Sequence, residues 1–176
     1  MDMTDTITSS APTAVHRATA RALTDCMREF LAAHQHLVLA TTNPDGTVHA
    51  VPYLYTFDGT GFLVATTSAG RTGRNIAARP NATVTVDDRQ AVGWVSGTGP
   101  ARLVRGPQAR ALNERIYRTW MTEQGVAVVG RALAEVEDIT IVVTPVRWRA
   151  WDMASTVVPY LVEAGIPMDQ PGRWFR

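Results

Sequence analysis

Hydroxyl, glycine and arginine residues crowd one stretch of the sequence, Thr66-Thr67-Ser68-Ala69-Gly70-Arg71-Thr72-Gly73-Arg74-Asn75. The apolar run Phe62–Thr67 before it reads as a strand, and Thr72–Arg79 reads as a short helix stopped by Pro80. A strand end would deliver three hydroxyls, and a glycine loop would lead into a helix with Arg71 and Arg74 near its start. Phosphate is suited to that combination. Free N–H groups and the positive end of the helix dipole meet the oxyanion, and guanidinium adds charge-assisted hydrogen bonds. The same residues also describe a polar surface loop capped by Ser68 or Thr72. A P-loop is excluded, because the GK[ST] ending is missing. All 17 basic residues are arginine, so a bound phosphate would rest on guanidinium, hydroxyl or backbone N–H.

Other candidates have plainer readings. Gly97-Thr98-Gly99 begins a dinucleotide-like glycine pattern, but Pro100 intrudes and Arg102 stands where the third glycine belongs, so the segment reads as a strand bend. His34 and His36 have no third metal ligand nearby and fit a helix end and a strand start. The Asp87-Asp88 and Glu135/Glu137/Asp138 carboxylates sit at turn-like positions. No G-x-S-x-G elbow supports a hydrolase serine. Cys26, the single cysteine, excludes an internal disulfide and falls on the apolar face of a helix pattern, as core filler. Trp94, Trp148 and Trp151 lie in strand-like runs and suit a wall for a flat heterocycle, a core or a dimer face.

The rest of the chain must position these residues. Its 176 residues are 45% hydrophobic and carry a net charge of +1, an ordinary globular composition with no field for nucleic acid or an acidic membrane. No apolar stretch of about 18 residues is present, and residues 1–13 lack the apolar core of a signal peptide; the reading is cytoplasmic, with 1–13 a disordered tail. Val15, Ala18, Ala22, Leu23, Cys26, Met27, Phe30 and Leu31 predict a helix over 14–33. Strands are predicted at His36–Thr41, Val48–Phe57 and Phe62–Thr67, joined by the Asn43-Pro44-Asp45-Gly46 and Asp58-Gly59 turns. Ala82–Val86 and a long Val92–Val104, bent at its glycines, follow. Helices are predicted at Pro107–Thr122 and within Gly125–Glu137, then a sixth strand from Ile139 continuing through Trp148 towards Trp151. Residues 154–176 read as an extended tail packing on the barrel or a partner. The expected fold is mainly β: a closed barrel of six antiparallel strands with flanking helices, one domain spanning 14–153.

The order of these segments resembles the pyridoxamine-phosphate-oxidase-like flavoproteins. Leu39-Ala40-Thr41-Thr42-Asn43-Pro44-Asp45-Gly46-Thr47-Val48-His49-Ala50-Val51-Pro52 is similar to that family's opening hairpin. Arg74-Asn75-Ile76-Ala77-Ala78-Arg79-Pro80-Asn81-Ala82-Thr83-Val84-Thr85-Val86 resembles its helix and next strand, Gly97–Arg102 its later strand, and Val146–Asp152 its closing strand. The resemblance covers about residues 25–152. It implies a six-stranded antiparallel split β-barrel of the FMN-binding type, a homodimer with two flavin sites at the interface, and a redox reaction on a small-molecule substrate. Carried over by position, His49, Ala50, Val51, Pro52 and Tyr53 line the flavin ring. Thr66, Thr67 and Ser68 meet the ribityl chain and phosphate; Arg71 is the main phosphate ligand, with Thr72, Arg74 and Asn75 near. Trp94 and Trp151 come from the neighbouring chain or wall the substrate side. His49 and Tyr53 are the candidate proton donors. The family commonly has Lys where this chain has Thr72, which points to FMN over the deazaflavin F-420, whose tail is longer and more acidic. A non-catalytic flavin or haem carrier on the same barrel is the alternative.

Overall fold

The structure, a computed structural model, describes residues 22–165; the expected N-terminal tail lies outside them. Helix α1 spans Asp25–Ala33. Thr24 stops it from starting earlier within the described chain, because its hydroxyl caps the Met27 N–H at 3.3 Å from an extended backbone. Residues 22–24 are therefore not helical, unlike the expected helix from residue 14, and 14–21 lie outside the described residues. Met27 and Leu31 form the buried stripe, with Leu23 and Phe30 packed beside it. That phase leaves Cys26 exposed rather than in the core.

The strands are β1 (His36–Thr42), β2 (Val48–Phe57), β3 (Phe62–Thr67), β4 (Asn81–Asp88), β5 (Gly93–Arg105), β6 (Asp138–Val143) and β7 (Arg147–Asp152). Neighbours run β4-β1-β2-β3-β6-β5, and β4 pairs with β5, so six antiparallel strands close a barrel. Both short turns form as their residues dictate. Asp45 accepts from the N–H and hydroxyl of Thr47, with Gly46 at φ 85°. Asp58 accepts from the N–H groups of Thr60 and Gly61, with Gly59 at φ 95°. Leu37, Leu39, Phe62, Val64, Val84, Val86, Ile141 and Val143 fill the interior. Trp148 belongs to that core, its ring 5.9 Å from Phe62.

β6 and β7 are two strands where the sequence suggests one. Both lie along β5: Ala101–Arg105 pairs with β6, and Gly93–Thr98 pairs with β7. Thr144-Pro145-Val146 joins them along the same edge of β5, the Thr144 N–H donating to Pro100 O and the Val146 N–H to Thr98 O. The register with β4 runs unbroken from Gly93 to Pro100, whereas on the other edge it slips by one residue between Ala101↔Val143 and Thr98↔Arg147, a bulge in the partner strand beside the glycines. The glycines admit the bulged chain. A Cβ on Gly97 would lie 2.8 Å from Pro145 Cγ, and one on Gly99 would lie 2.8 Å from Pro145 Cα.

Four further helices matter to the site and its surroundings: α2 (Arg71–Ala78), α3 (Gly106–Arg118), α4 (Glu123–Ala132), and the short pair α5 (Met153–Thr156) and α6 (Val158–Glu163) taken as one. That last pair replaces the extended start of the expected C-terminal tail. Asp152 caps α5 by accepting from the Ser155 N–H at 2.6 Å, and Pro159 sits in the first turn of α6. Residues 166–176 lie outside the described chain. Among the described residues, no helix is long and apolar enough to cross a membrane.

Gly99→Ala tests this close approach. The new methyl meets backbone of Thr144–Val146 that has no room to give, so the variant should lose ~1–3 kcal/mol of stability. A urea midpoint equal to that of the parent protein would show that the approach is not tight.

Candidate functional site

β2 and β3 pair only from Tyr55↔Val64 to Phe57↔Phe62. Continued, that register would place Tyr53 opposite Thr66 and Pro52 opposite Thr67, but the two strands have parted there. Each stays anchored on its other side, β2 to β1 from Val48 to Leu54 and β3 to β6 as far as Thr67. The facing edges of 49–53 and 65–67 are thus free of strand partners. They bound a split in the barrel wall, with backbone N–H and C=O groups along both sides. The two segments singled out in the sequence, His49–Tyr53 and Thr66–Ser68, are its two lips.

Alternation divides the β2 lip. His49, Val51 and Tyr53 share the face of Tyr55, which is buried, whereas Ala50 and Pro52 point to the outer, exposed face. Five consecutive side chains therefore do not line one ring; the backbone edge is what they share. The Tyr53 hydroxyl donates to Thr72 Oγ1 at 2.8 Å, joining the β2 lip to α2.

α2 begins directly below the β3 lip. Gly70 is its N-cap and gives no side-chain bond, so the first-turn N–H groups are left uncapped. Arg74 Nη1 donates to Ala69 O at 2.6 Å, folding the loop over the helix start. Arg71 is exposed. Both arginines line an open cavity of about 540 Å³ with Asn43, Pro44, Asp45, Asn75 and Ala78. Gly73 lets the helix lie on the barrel, since a Cβ there would be 2.7 Å from Ile139 Cδ1.

Two of the sequence candidates are buried and serve the framework. Thr72 is engaged by Tyr53. Asn75 spends its carboxamide N–H groups on Thr41 Oγ1 and Asn43 Oδ1, both at 3.0 Å. Ser68 ties its loop to the strand below, its N–H donating to Glu137 O at 3.0 Å. The Glu137 carboxyl is held below its usual range by Arg105 first and by the Ser68 hydroxyl second. Trp94 and Trp151 are cross-strand neighbours on β5 and β7, on the outer face of the sheet. Within the chain, β4 and β1 lie between them and the β2 lip, and β6 lies between β5 and the β3 lip.

Asn43 and Asp45 line the cavity, although the sequence marks them only as turn residues. The Thr47 hydroxyl and then its N–H hold the Asp45 carboxyl below the ordinary range, with a smaller contribution from the Arg71 charge. The cavity thus carries two guanidiniums and one firmly ionised carboxylate. Arg71 and Arg74 in its lining, at the uncapped start of α2, are donors that fit a phosphate ester, while Thr66 and Thr67 stand at the end of the β3 lip outside the lining. The backbone-edged split beside it fits a flat ring.

The family model described as pyridoxamine 5'-phosphate oxidase matches residues 23–152. No curated protein sequence matches the chain significantly. Among solved structures, a conserved hypothetical protein of Mycobacterium tuberculosis is similar at TM-score 0.63 and 19% identity, over 83% of this chain and 90% of that one. An F420 reductase aligns at TM-score 0.53 and 23% identity, over 65% and 88% of the two chains. An FMN-binding, pyridoxamine 5'-phosphate oxidase-related protein of Nostoc punctiforme aligns at TM-score 0.56 and 12% identity, over 77% and 87%. The match of the family model over most of the chain, on a closed barrel with this split, places the protein in the pyridoxamine 5'-phosphate oxidase family.

Proposed function

We propose that the protein is a flavin-dependent oxidoreductase that holds FMN in the β2–β3 split and acts on a small organic substrate as a homodimer. The observation that carries this reading is the adjacency of the backbone-edged split to the uncapped, arginine-bearing start of α2. Arg71 and the α2 N–H groups would take the phosphate, Thr66 and Thr67 the ribityl hydroxyls, and the 49–53 backbone edge the ring. Bound flavin supplies the hydride transfer; the chain supplies orientation and exclusion of water. Tyr53 already donates its proton to Thr72, so it acts by bracing α2 against β2. His49, half-buried on the same face, is the side chain left to hold a proton beside the ring.

Thr72 favours FMN over the deazaflavin. At 1% exposure and bonded to Tyr53, it puts no cation where the family commonly has lysine. Asp45 adds fixed negative charge to the same cavity, which opposes a tail bearing further carboxylates. Support for the dimer comes from the outer face of β1 and β2, where Val38 is 37% and Val48 71% exposed beside Ala50 and Pro52. Trp94 and Trp151 lie on the same outer sheet surface, available to a second copy.

Titration of the purified chain with FMN and separately with the deazaflavin tests the cofactor, followed by turnover of reduced flavin with an electron acceptor. Saturable FMN binding at one per chain is expected. Binding of the deazaflavin alone, or of haem alone, would replace FMN in the reading. Arg71→Ala should weaken FMN by ~1.5–3 kcal/mol with little change in thermal midpoint. Asn75→Ala, in contrast, should also lower the unfolding free energy in urea by ~1–3 kcal/mol, because it takes a hydrogen bond from each of Thr41 and Asn43. Equal FMN affinity in the parent and Arg71→Ala would remove the phosphate assignment. Val38→Asp should convert a dimer to a monomer in sedimentation, and an unchanged sedimentation coefficient would put the interface elsewhere.

A further inference from the structure

On the other edge of β3, away from the split, α3 and α4 face each other across a cleft of about 300 Å³. The α3 wall is polar, presenting Arg110, Asn113, Glu114 and Tyr117 at the i, i+3, i+4, i+7 spacing of one helix face. The opposing α4 wall presents Val126, Ala127 and Gly130. These are small residues, and a Cβ on Gly130 would meet nothing within 4 Å. The helices therefore leave open space where facing stripes ordinarily close on each other.

Asp138, the first residue of β6, lines the same cleft. Its side chain is only 12% exposed, yet its contacts are long: Arg110 Nε at 3.6 Å and Asn113 Nδ2 at 3.4 Å. Good N–H···O bonds lie at about 2.7–3.2 Å. Arg110 is itself 66% exposed and leans in from solvent. At the mouth, Arg118 is occupied by Glu114 at 2.7 Å and Glu123 at 3.1 Å. With Arg118 counted, two guanidiniums face three carboxylates, and the incompletely paired one is the most buried. Such a carboxylate is stabilised by a cation that supplies short hydrogen bonds.

We propose that this cleft is a binding site for a small primary ammonium compound with a compact apolar body. The ammonium sits on the Asp138 carboxylate, and the apolar body lies against Val126, Ala127 and the bare Gly130 position. The volume is at the lower end of small-molecule sites, roughly 300–1,000 Å³, which limits the ligand to about one ring or a short branched chain. The inference does not rest on the flavin reading: the cleft shares no residue with the split and meets the β3 lip only from behind, where Asn113 reaches Thr66 O and Asp138 pairs with Thr67.

Calorimetric titration of the full chain with benzylammonium, benzyl alcohol and benzoate tests it. Benzylammonium alone should saturate at one per chain, with a dissociation constant of about 1 mM or below. Asp138→Asn should weaken it roughly tenfold or more. Gly130→Leu should abolish it while leaving FMN affinity and the thermal midpoint in place, because the new side chain fills empty space on an exposed helix position. If Asp138→Asn fails to fold, Gly130→Leu decides alone. Absence of saturation by about 10 mM, equal binding of the alcohol, or binding that survives Gly130→Leu would overturn the proposal.

Discussion

A buried carboxamide holds the site together. Asn75 sits in α2, and its two N–H groups reach Thr41 at the end of β1 and Asn43 in the turn beyond it. α2 has eight residues and a glycine inside it, too short and too weak to be helical alone. Its order comes from what it touches. Asn75 fixes one side to the first hairpin, the Tyr53–Thr72 hydrogen bond fixes its start to β2, and Gly73 settles it on Ile139. Arg71 and Arg74 have defined positions only because those three contacts do. An exposed arginine contributes little to stability by itself; here the framework spends buried polar groups on placing two of them.

The same economy explains how a closed barrel can have an open seam. A strand can leave one neighbour only if its other edge stays paired, since unpaired buried backbone is costly. β2 keeps β1 along its whole upper half, and β3 keeps β6 to its last residue. β5 makes closure possible by serving three strands, β4 on one edge and β6 then β7 on the other. Between β6 and β7 the chain bulges against β5, and that close approach needs Gly97 and Gly99. Seam and bulge are both met by freeing or crowding backbone rather than by special side chains.

Features encoded by neighbours in the chain were legible in the sequence. The Asn43–Gly46 and Asp58–Gly59 turns rest on their own side-chain hydrogen bonds, and the strands they join alternate plainly. Helix α2 was legible with its arginines because Gly70 and Pro80 bracket it. What depends on distant partners was not. Cys26 shared the helical spacing of the apolar residues, but the buried stripe is only Met27 and Leu31, and Cys26 falls outside it. The break between β6 and β7 follows from glycines more than forty residues upstream, which no local pattern around Pro145 reveals. Pro159 and Gly165 looked like punctuation of an extended tail, yet one opens α6 and the other, at φ 68°, follows its end. In the site, Arg71 and Arg74 stood out by type, whereas the buried hydrogen bonds that Thr72 and Asn75 make to distant partners could not be read from the local pattern. Asp45 was hidden because its turn role fully accounted for it.

β7 has one strand partner, so its other edge carries backbone groups that no strand of the described chain satisfies. An edge of that kind templates the addition of foreign strands. Arg147 and Arg149 alternate along it, both exposed. A second β7 laid alongside would bring four guanidiniums to one short ribbon with no carboxylate on either strand before Asp152. The described chain therefore carries a charge guard along this free edge, and substitutions that neutralise these arginines trade away colloidal stability while leaving the barrel interior untouched.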